Sequence, residues 1–258
     1  MTQAPLDWRL IPCLDDNYAV LLRDEATGTV ALVDAPEEAP ILKAVEETGW
    51  VPSLILITHH HHDHVGALDA LKMAFGATAT GPEAEAARIK GLDTTVGEGD
   101  RLMLGETALD VIATPGHTRG HIAYAGGGVL MAGDTLFALG CGRLFEDTPQ
   151  AMWASLQKLR ALPDDTLLFC GHEYTASNAR YALHVDDGND ALVAYAGEIA
   201  TKRARAEPTI PAPLGREKET NPFLRADEAV IARAMGLEPG TDPAQVFAAL
   251  RKGKDTFR

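Results

Sequence analysis

The sequence predicts an α/β fold followed by a smaller helical region, and three observations carry that reading. Short apolar runs separated by turn residues fill the first two thirds of the chain. From about residue 174 the apolar residues take helical spacing instead. The chain has 258 residues, which at roughly 150 residues per domain allows one large domain, or a large one with a small one.

The elements follow in order. YAVLLRD (18–24) and TVALVDA (29–35) flank Glu25-Ala26-Thr27-Gly28, a hairpin loop by composition. APILKAVEETG (39–49) has helical spacing and ends at a glycine. LILIT (54–58) is a short, dense apolar strand of the kind buried on both faces. VGALDALKMAFG (65–76) reads as helical again. ALDVIAT (108–114), VLMAG (129–133) and LLFCG (167–171) are further apolar runs, each ending where polar residues cluster. Segments 175–206, 225–236 and 242–252 read as helices, separated by the proline-rich EPTIPAPLG (207–215) and by LEPGTDP (237–243). A boundary is expected near Glu173, giving a larger domain over 1–173 and a helical domain over 174–258.

Composition removes several classes. Apolar residues at 46% and charged residues at 23% are near the globular average and exclude disorder, collagen and coiled coil. No apolar run approaches the ~18–20 residues of a membrane helix, so no membrane role is expected. The net charge of −14 argues against nucleic acid as a partner, while leaving room for a small anion held by a local cluster. Cys13, Cys141 and Cys170 are odd in number, and MTQAPLDWRLIPC lacks the basic and apolar stretches of a signal peptide. Free thiols in a reducing, cytoplasmic compartment are expected.

The strongest chemical signal is Thr58-His59-His60-His61-His62-Asp63-His64, which holds five of the nine histidines. A purification tag would be terminal and uninterrupted by aspartate. A chance polar loop fits poorly with the buried strand just before it, since ligands sit on loops held by rigid elements. In an extended strand end, residues i and i+2 point the same way, so His59 and His61 could share one metal. The chain must then turn into a helix near Val65, which directs Asp63 and His64 differently, toward a second metal. His60 and His62 alternate away and read as packing or surface. Three further polar points each follow an apolar strand: Pro115-Gly116-His117-Thr118, Gly133-Asp134-Thr135 and Gly171-His172-Glu173-Tyr174. Imidazole and carboxylate without a ligand cysteine suit zinc first, with iron or manganese as alternatives. Two nearby divalent ions need an anionic bridge, for which Asp134 is the natural candidate.

The H-x-H-x-D-H run, the later Gly-His, the Gly-Asp and the final Gly-His resemble the metallo-β-lactamase superfamily. IPCLDDNYAVLL, THHHHDHVG, TPGHTRGHIAY, GCGRLF, CGHEYT, NPFLR and the terminal RKGKDTF resemble one branch of it, the hydroxyacylglutathione hydrolase (glyoxalase II) family, from about residue 10 onward. The resemblance implies an αββα sandwich followed by a small C-terminal α-helical domain. It implies one metal ion on His59, His61 and His117, a second on Asp63, His64 and His172, and Asp134 bridging. It implies a glutathione thioester as the small-molecule partner, bound by Arg143, Tyr174, Arg251 and Lys254. Some members carry lysine where Arg143 stands and tyrosine where Phe145 stands, and the GG that often follows DHV is Gly66-Ala67 here.

The implied chemistry is thioester hydrolysis of the S-D-lactoylglutathione type, to glutathione and a 2-hydroxy acid such as D-lactate, in methylglyoxal degradation. A water shared by two metal ions is acidified toward neutrality, and the tetrahedral oxyanion is stabilised electrostatically. Asp134 and Asp63 are the catalytic carboxylates in this reading, Asp63 as a proton relay. A monomer is expected. A lactamase or lactonase of the same fold would lack RKGKDTF, and a one-iron sulfur dioxygenase would lack the second site. A non-enzymatic metal protein would close its shell with four ligands. Arg251, Lys252 and Lys254 could also be ordinary helix C-terminal charges, worth tenths to about 1 kcal/mol. Cys141 reads as a small residue in a tight turn; His121 supports the metal shell or the core; Asn178 binds ligand or lies on a helix surface.

Overall fold

The computed structural model describes residues 6–257; residues 1–5 and Arg258, the extremes of the two expected domain spans, lie outside the described residues. The chain forms two compact units, Met1–Ala113 with Gly120–Gly133, and Thr114–Arg119 with Asp134–Arg258.

The first unit carries strands β1 (Asp7–Cys13), β2 (Asn17–Arg23), β3 (Val30–Val33), β4 (Leu54–Leu56), β5 (Thr78–Pro82) and β6 (Thr94–Val96), hydrogen-bonded in that order. The first three are antiparallel and the last four, from β3 on, parallel. The expected hairpin at 24–29 is β2–β3. Its loop is closed by the Asp24 carboxylate, which accepts from the Thr27 amide and hydroxyl. Helices α1 (Glu38–Thr48), α2 (His62–Val65) and α3 (Leu68–Phe75) connect the parallel strands. Ile41 and Val45 of α1 and Leu68 and Leu71 of α3 pack with Leu21, Leu32 and Ile55. Leu22 and Leu56 have the opposite parity and are also fully buried. The sheet is therefore covered on both faces, which is why these strands read as unbroken apolar runs.

A second layer in the same unit runs β10-β9-β8-β7, from β7 (Arg101–Leu104), β8 (Thr107–Ala113), β9 (Ile122–Gly126) and β10 (Val129–Met131). It is tied to the first layer by buried polar bonds: the Tyr124 hydroxyl donates to the Ile57 carbonyl at 2.8 Å, and the Ile122 amide to the Thr58 carbonyl at 3.0 Å.

The second unit starts with a tight hairpin, β11 (Leu136–Phe137) and β12 (Gly140–Cys141). Helix α4 (Pro149–Arg160) follows, capped by the Thr148 hydroxyl with proline in the first turn. Then come β13 (Leu167–Phe169), α5 (Thr175–Val185), α6 (Asp190–Ala204), β14 (Ala212–Pro213), α7 (Leu214–Thr220), α8 (Ala229–Ala234) and α9 (Pro243–Thr256).

Two helix expectations and one loop expectation are corrected in detail. The span 175–206 is two helices, because Asp187-Gly188 interrupts it and Asn189 caps α6 by accepting from the Leu192 amide at 3.1 Å. The helix expected from Val65 starts at His62, breaks, and resumes at Leu68. The proline-rich loop ends early, since Pro213 leads directly into α7. Strands β5 and β6 carried too little apolar contrast (Thr-Ala-Thr-Gly-Pro and Thr-Thr-Val) to be read.

Candidate metal centre

In the first unit, backbone bonding continues past β4, and the Ile57 amide still donates to the Thr80 carbonyl at 2.9 Å. That pairing carries Thr58 and His59 into the interior, where both are fully buried. The chain stays extended at His61 and then enters α2, so Asp63 and His64 come from a helical turn rather than from a loop. One ligand-type atom from each of His59 and His61, of His59 and His64, and of Asp63 and His64 lie within 4.8 Å of one another.

The orientation of these rings has a source that the sequence reading missed, Asp34. It sits just past β3 in a left-handed conformation, φ 57°, and is buried. Its Oδ1 accepts from the Thr58 amide at 2.9 Å, and its Oδ2 from the Thr58 hydroxyl at 2.9 Å and from His64 Nδ1 at 2.8 Å. The carboxylate can only accept, so His64 carries its proton on Nδ1 and presents the Nε2 lone pair. The Thr58 hydroxyl, having donated to Asp34, is the acceptor for His59 Nδ1 at 3.0 Å, which fixes His59 in the same tautomer. Partners of this kind on the far nitrogen are the usual outer support of metal-bound imidazole. A signal was available: Asp34 ends an apolar strand, as Asp134 does.

The expectation that His60 faces away holds. Its backbone N–H and ring Nδ1 both meet Glu85 Oε2, at 2.6 and 2.8 Å, and Glu85 Oε1 accepts from the Gly120 amide at 3.2 Å. Glu85 is a second residue that sequence reasoning missed. His62 is exposed. His121 is buried, its ring 4.8 Å from that of His59. Gly133, at φ +47°, leaves room for it: a Cβ there would stand 2.7 Å from both His121 Nε2 and Thr58 Oγ1. Asp63 is steadied by Asn17, whose amide donates to its carbonyl at 3.0 Å and its Oδ2 at 3.1 Å.

The second unit brings together His117, Asp134 and His172, all buried. His117 Nε2 and His172 Nε2 lie 3.4 and 3.3 Å from the same oxygen, Asp134 Oδ2. Ligands that each stand ~2.0–2.1 Å from a tetrahedral ion are separated by about this distance. His117 Nδ1 donates to the Arg143 carbonyl at 2.9 Å, so this ring too presents Nε2. His172 is stacked on Tyr174, with centroids 4.7 Å apart and planes within 3°. Backbone close approach matters at Gly142, where a Cβ would fall 1.9 Å from the Asp134 carbonyl oxygen. Buried imidazoles with defined tautomers and carboxylates beside them form a donor set that fits divalent metal ions.

The other predicted residues lie in this unit as well. Arg143 is exposed, its Nε 3.9 Å from Asp255. Arg251 is turned inward. One nitrogen donates to the Cys141 carbonyl at 2.8 Å and another to Asp255 at 3.0 Å, and the guanidinium lies over the Phe223 ring. Lys254 donates to the Ser177 carbonyl and hydroxyl at 3.1 and 2.9 Å. Burial first, and then Arg251, Arg180 and Arg143, pull its ammonium down to about 8. These cations are thus close enough to repel one another in a chain of net charge −14. Cys141 is buried, and desolvation pushes its thiol up to about 11 despite Arg251, so it is no nucleophile near neutrality. Asn178 is buried rather than on a helix surface, and its amide donates to the Ala138 carbonyl at 3.1 Å.

Residues 15–172 match the family model of the metallo-beta-lactamase superfamily, and residues 173–257 match that of the hydroxyacylglutathione hydrolase C-terminus. A curated hydroxyacylglutathione hydrolase from Chelativorans sp. is 53% identical over 247 residues, covering 95% of this chain and 96% of the relative. The chain belongs to the hydroxyacylglutathione hydrolase family. A second such relative, from Rhizobium meliloti, is 52% identical, covering 98% of this chain and all of its own length. Among solved structures, ETHE1 from Myxococcus xanthus superposes with a TM-score of 0.70 at 25% identity, covering 98% of this chain and 92% of that one. TTHA1623, solved in a di-iron-bound form, gives 0.59 at 27% identity, covering 84% and 98%. The family match places the chain among hydrolases that carry the metallo-β-lactamase fold followed by C-terminal helices. Among the described residues no helix is long and apolar enough to cross a membrane.

Proposed function

We propose that this member of the hydroxyacylglutathione hydrolase family cleaves the thioester of S-(2-hydroxyacyl)glutathione, of the S-D-lactoylglutathione type, to glutathione and a 2-hydroxy acid such as D-lactate. The role is methylglyoxal detoxification by a cytoplasmic monomer. The observation that carries the reading is the set of fixed imidazole tautomers. Asp34 and the Arg143 carbonyl hold His64 and His117 with Nε2 available, at residues that also match the family's ligand pattern.

In this reading His59, His61 and His117 would hold one divalent ion and Asp63, His64 and His172 a second, with Asp134 available to both; zinc is the first choice. When bound, the pair supplies an acidified water at neutral pH and Lewis-acid polarisation of the thioester carbonyl. Asp63, whose Oδ2 accepts from the Asn17 amide, would take up the proton lost by the attacking water. The leaving group is a thiolate of parent pKa about 8.5, so it departs without a dedicated acid. Arg143, Tyr174, Arg251 and Lys254 bind the glutathione part. Burial is the main cause of the lowered Lys254 and the neighbouring arginines lower it further; an anion would relieve that repulsion, which supports a carboxylate-bearing ligand there. The helices from 174 onward form the glutathione-binding part of this scheme.

The test is a metal analysis joined to a thioester assay on the full-length protein. Two zinc ions per chain and turnover of S-D-lactoylglutathione are expected. A firm stoichiometry of one, or hydrolysis of a β-lactam in place of the thioester, would sink the proposal.

A further inference from the structure

The β11–β12 hairpin is held in an unusual way. Its two-residue loop is Ala138-Leu139, with Leu139 in the left-handed region at φ 54°, a conformation that disfavours a leucine. Glycine would be the ordinary choice. Every residue from 137 to 141 instead has a backbone group bonded to a side chain of α7, α5 or α9, or of the residue that ends α7. Asn221, which ends α7, donates to the Phe137 and Gly140 carbonyls, both at 3.1 Å. Asn178 of α5 donates to Ala138. The Leu139 amide donates to Glu217 Oε2 of α7 at 2.7 Å. Arg251 of α9 donates to Cys141. The Leu139 side chain is fully buried with Ala179, Ala182, Leu192 and Tyr195. None of these four polar side chains is exposed.

The two ends of this hairpin belong to the centre described above. Asp134 lies two residues before β11. The Gly142 amide donates to the Thr135 carbonyl at 3.2 Å, closing the base of the hairpin against Asp134. The next residue, Arg143, supplies the carbonyl that orients His117. Displacing the loop therefore moves a proposed ligand and the support of another. We propose that Asn178, Glu217, Asn221 and Arg251 are positioning residues for the metal centre, acting through the backbone of residues 137–141. The C-terminal helices then have a task in the chemistry separate from binding glutathione. The inference rests on the proposed metal-dependent function.

Glu217 tests it best, because it is none of the proposed ligands and a conservative variant exists. In Glu217→Gln the carbonyl oxygen still accepts from Leu139, and the new amide can donate to the Tyr195 hydroxyl, which now donates to Glu217 at 3.1 Å. In Glu217→Leu the acceptor is gone. Three quantities are measured on the full-length protein: exchange of the Leu139 amide hydrogen, the zinc dissociation constant by chelator competition, and kcat with KM. Glu217→Leu should speed the exchange, weaken zinc on the order of tenfold, and lower kcat with KM unchanged. Glu217→Gln should restore all three. Ile231→Ala in α8, which removes core volume from a helix that gives no side chain to the hairpin, should lower Tm and leave exchange and zinc affinity in place.

Wild-type zinc affinity in Glu217→Leu with rapid Leu139 exchange would overturn the proposal. So would equal zinc loss in Ile231→Ala, or a Gln variant as impaired as the Leu one. If Glu217→Leu does not fold, Asn221→Ala, which removes the donor to the Phe137 and Gly140 carbonyls, takes its place, judged on zinc affinity and on kcat with KM against Ile231→Ala. A wild-type chain that binds no zinc refutes the proposed function and this inference with it, while wild-type zinc binding with unaffected variants refutes this inference alone.

Discussion

Replacing Asp34 with asparagine should disable a metal site without unfolding the protein, and the structure says how. Asparagine tolerates the left-handed conformation of residue 34, so the backbone is unstrained. The Thr58 amide is a donor and requires an oxygen at the Oδ1 position. The new NH2 must then occupy the Oδ2 position, facing His64 Nδ1 and the Thr58 hydroxyl. There it can only donate. His64 responds by accepting at Nδ1 and moving its proton to Nε2, which removes the ligand lone pair. Losing one charge-assisted hydrogen bond is worth roughly 1.5–3 kcal/mol, or about 10- to 150-fold in affinity at 1.4 kcal/mol per decade. Zinc titration against a chelator should show one site weakened by that factor, with kcat falling in step and the unfolding midpoint of the metal-free chain little changed. Raising the pH should not restore it, because a tautomer and not a proton count is wrong. Asp34→Ala should be worse, adding strain of about 1–2 kcal/mol at φ 57°. Asp34→Asn with two zinc sites of wild-type affinity would refute the reasoning.

Asp134→Ala removes the carboxylate beside both His117 and His172 and should cut kcat by about 100-fold or more with loss of bound metal, read by elemental analysis and the thioester assay. Lys254 is held near 8, and an anionic ligand favours its charged form, so KM for a glutathione thioester should climb as pH rises through about 8, by at most tenfold per unit. A Lys254→Gln variant should start with the higher KM and lack that climb. Burial pushes the Glu217 carboxyl up to about 7 from 4.5, against bonds from Leu139, Tyr195 and Asn221 and the charge of Arg216. Between those values the unfolded chain has lost a proton that the folded chain keeps. Its contribution to stability is therefore full below about 4.5 and is lost as pH rises through about 7, by about 3 kcal/mol in all. Urea unfolding against pH should show that decline in the wild type and a flatter profile in Glu217→Gln.

The residues of the proposed metal centre stood out because they are imidazoles and carboxylates at the ends of apolar runs, a contrast that a linear reading detects. The glycine stop at Gly49, with φ 71°, was legible for the same local reason. Asp34, Glu85, Glu217 and Asn221 were not. Each is a single polar residue whose partners lie far off in the sequence, as Asp34 and His64 do, or Asn221 and Phe137. Their meaning exists only once the chain has folded. Arg251 shows the converse. Its basic neighbourhood was visible, but not that its guanidinium turns inward to the Cys141 carbonyl. Likewise α2 is a single turn, too short for any periodicity to register.

The hairpin at 136–141 also bears on how members of this family could exchange parts. Its main-chain groups are bonded to side chains some 40 to 110 positions further along the chain. A chimera cut at residue 173 would marry one parent's loop to another parent's helices. Such a hybrid would keep every proposed ligand and, on the positioning role proposed above, lose the fit that aims them. The interchangeable module is therefore discontinuous: helices α5 to α9 travel together with residues 136–141, and a recombinant that respects this pairing should outperform one that follows the linear boundary.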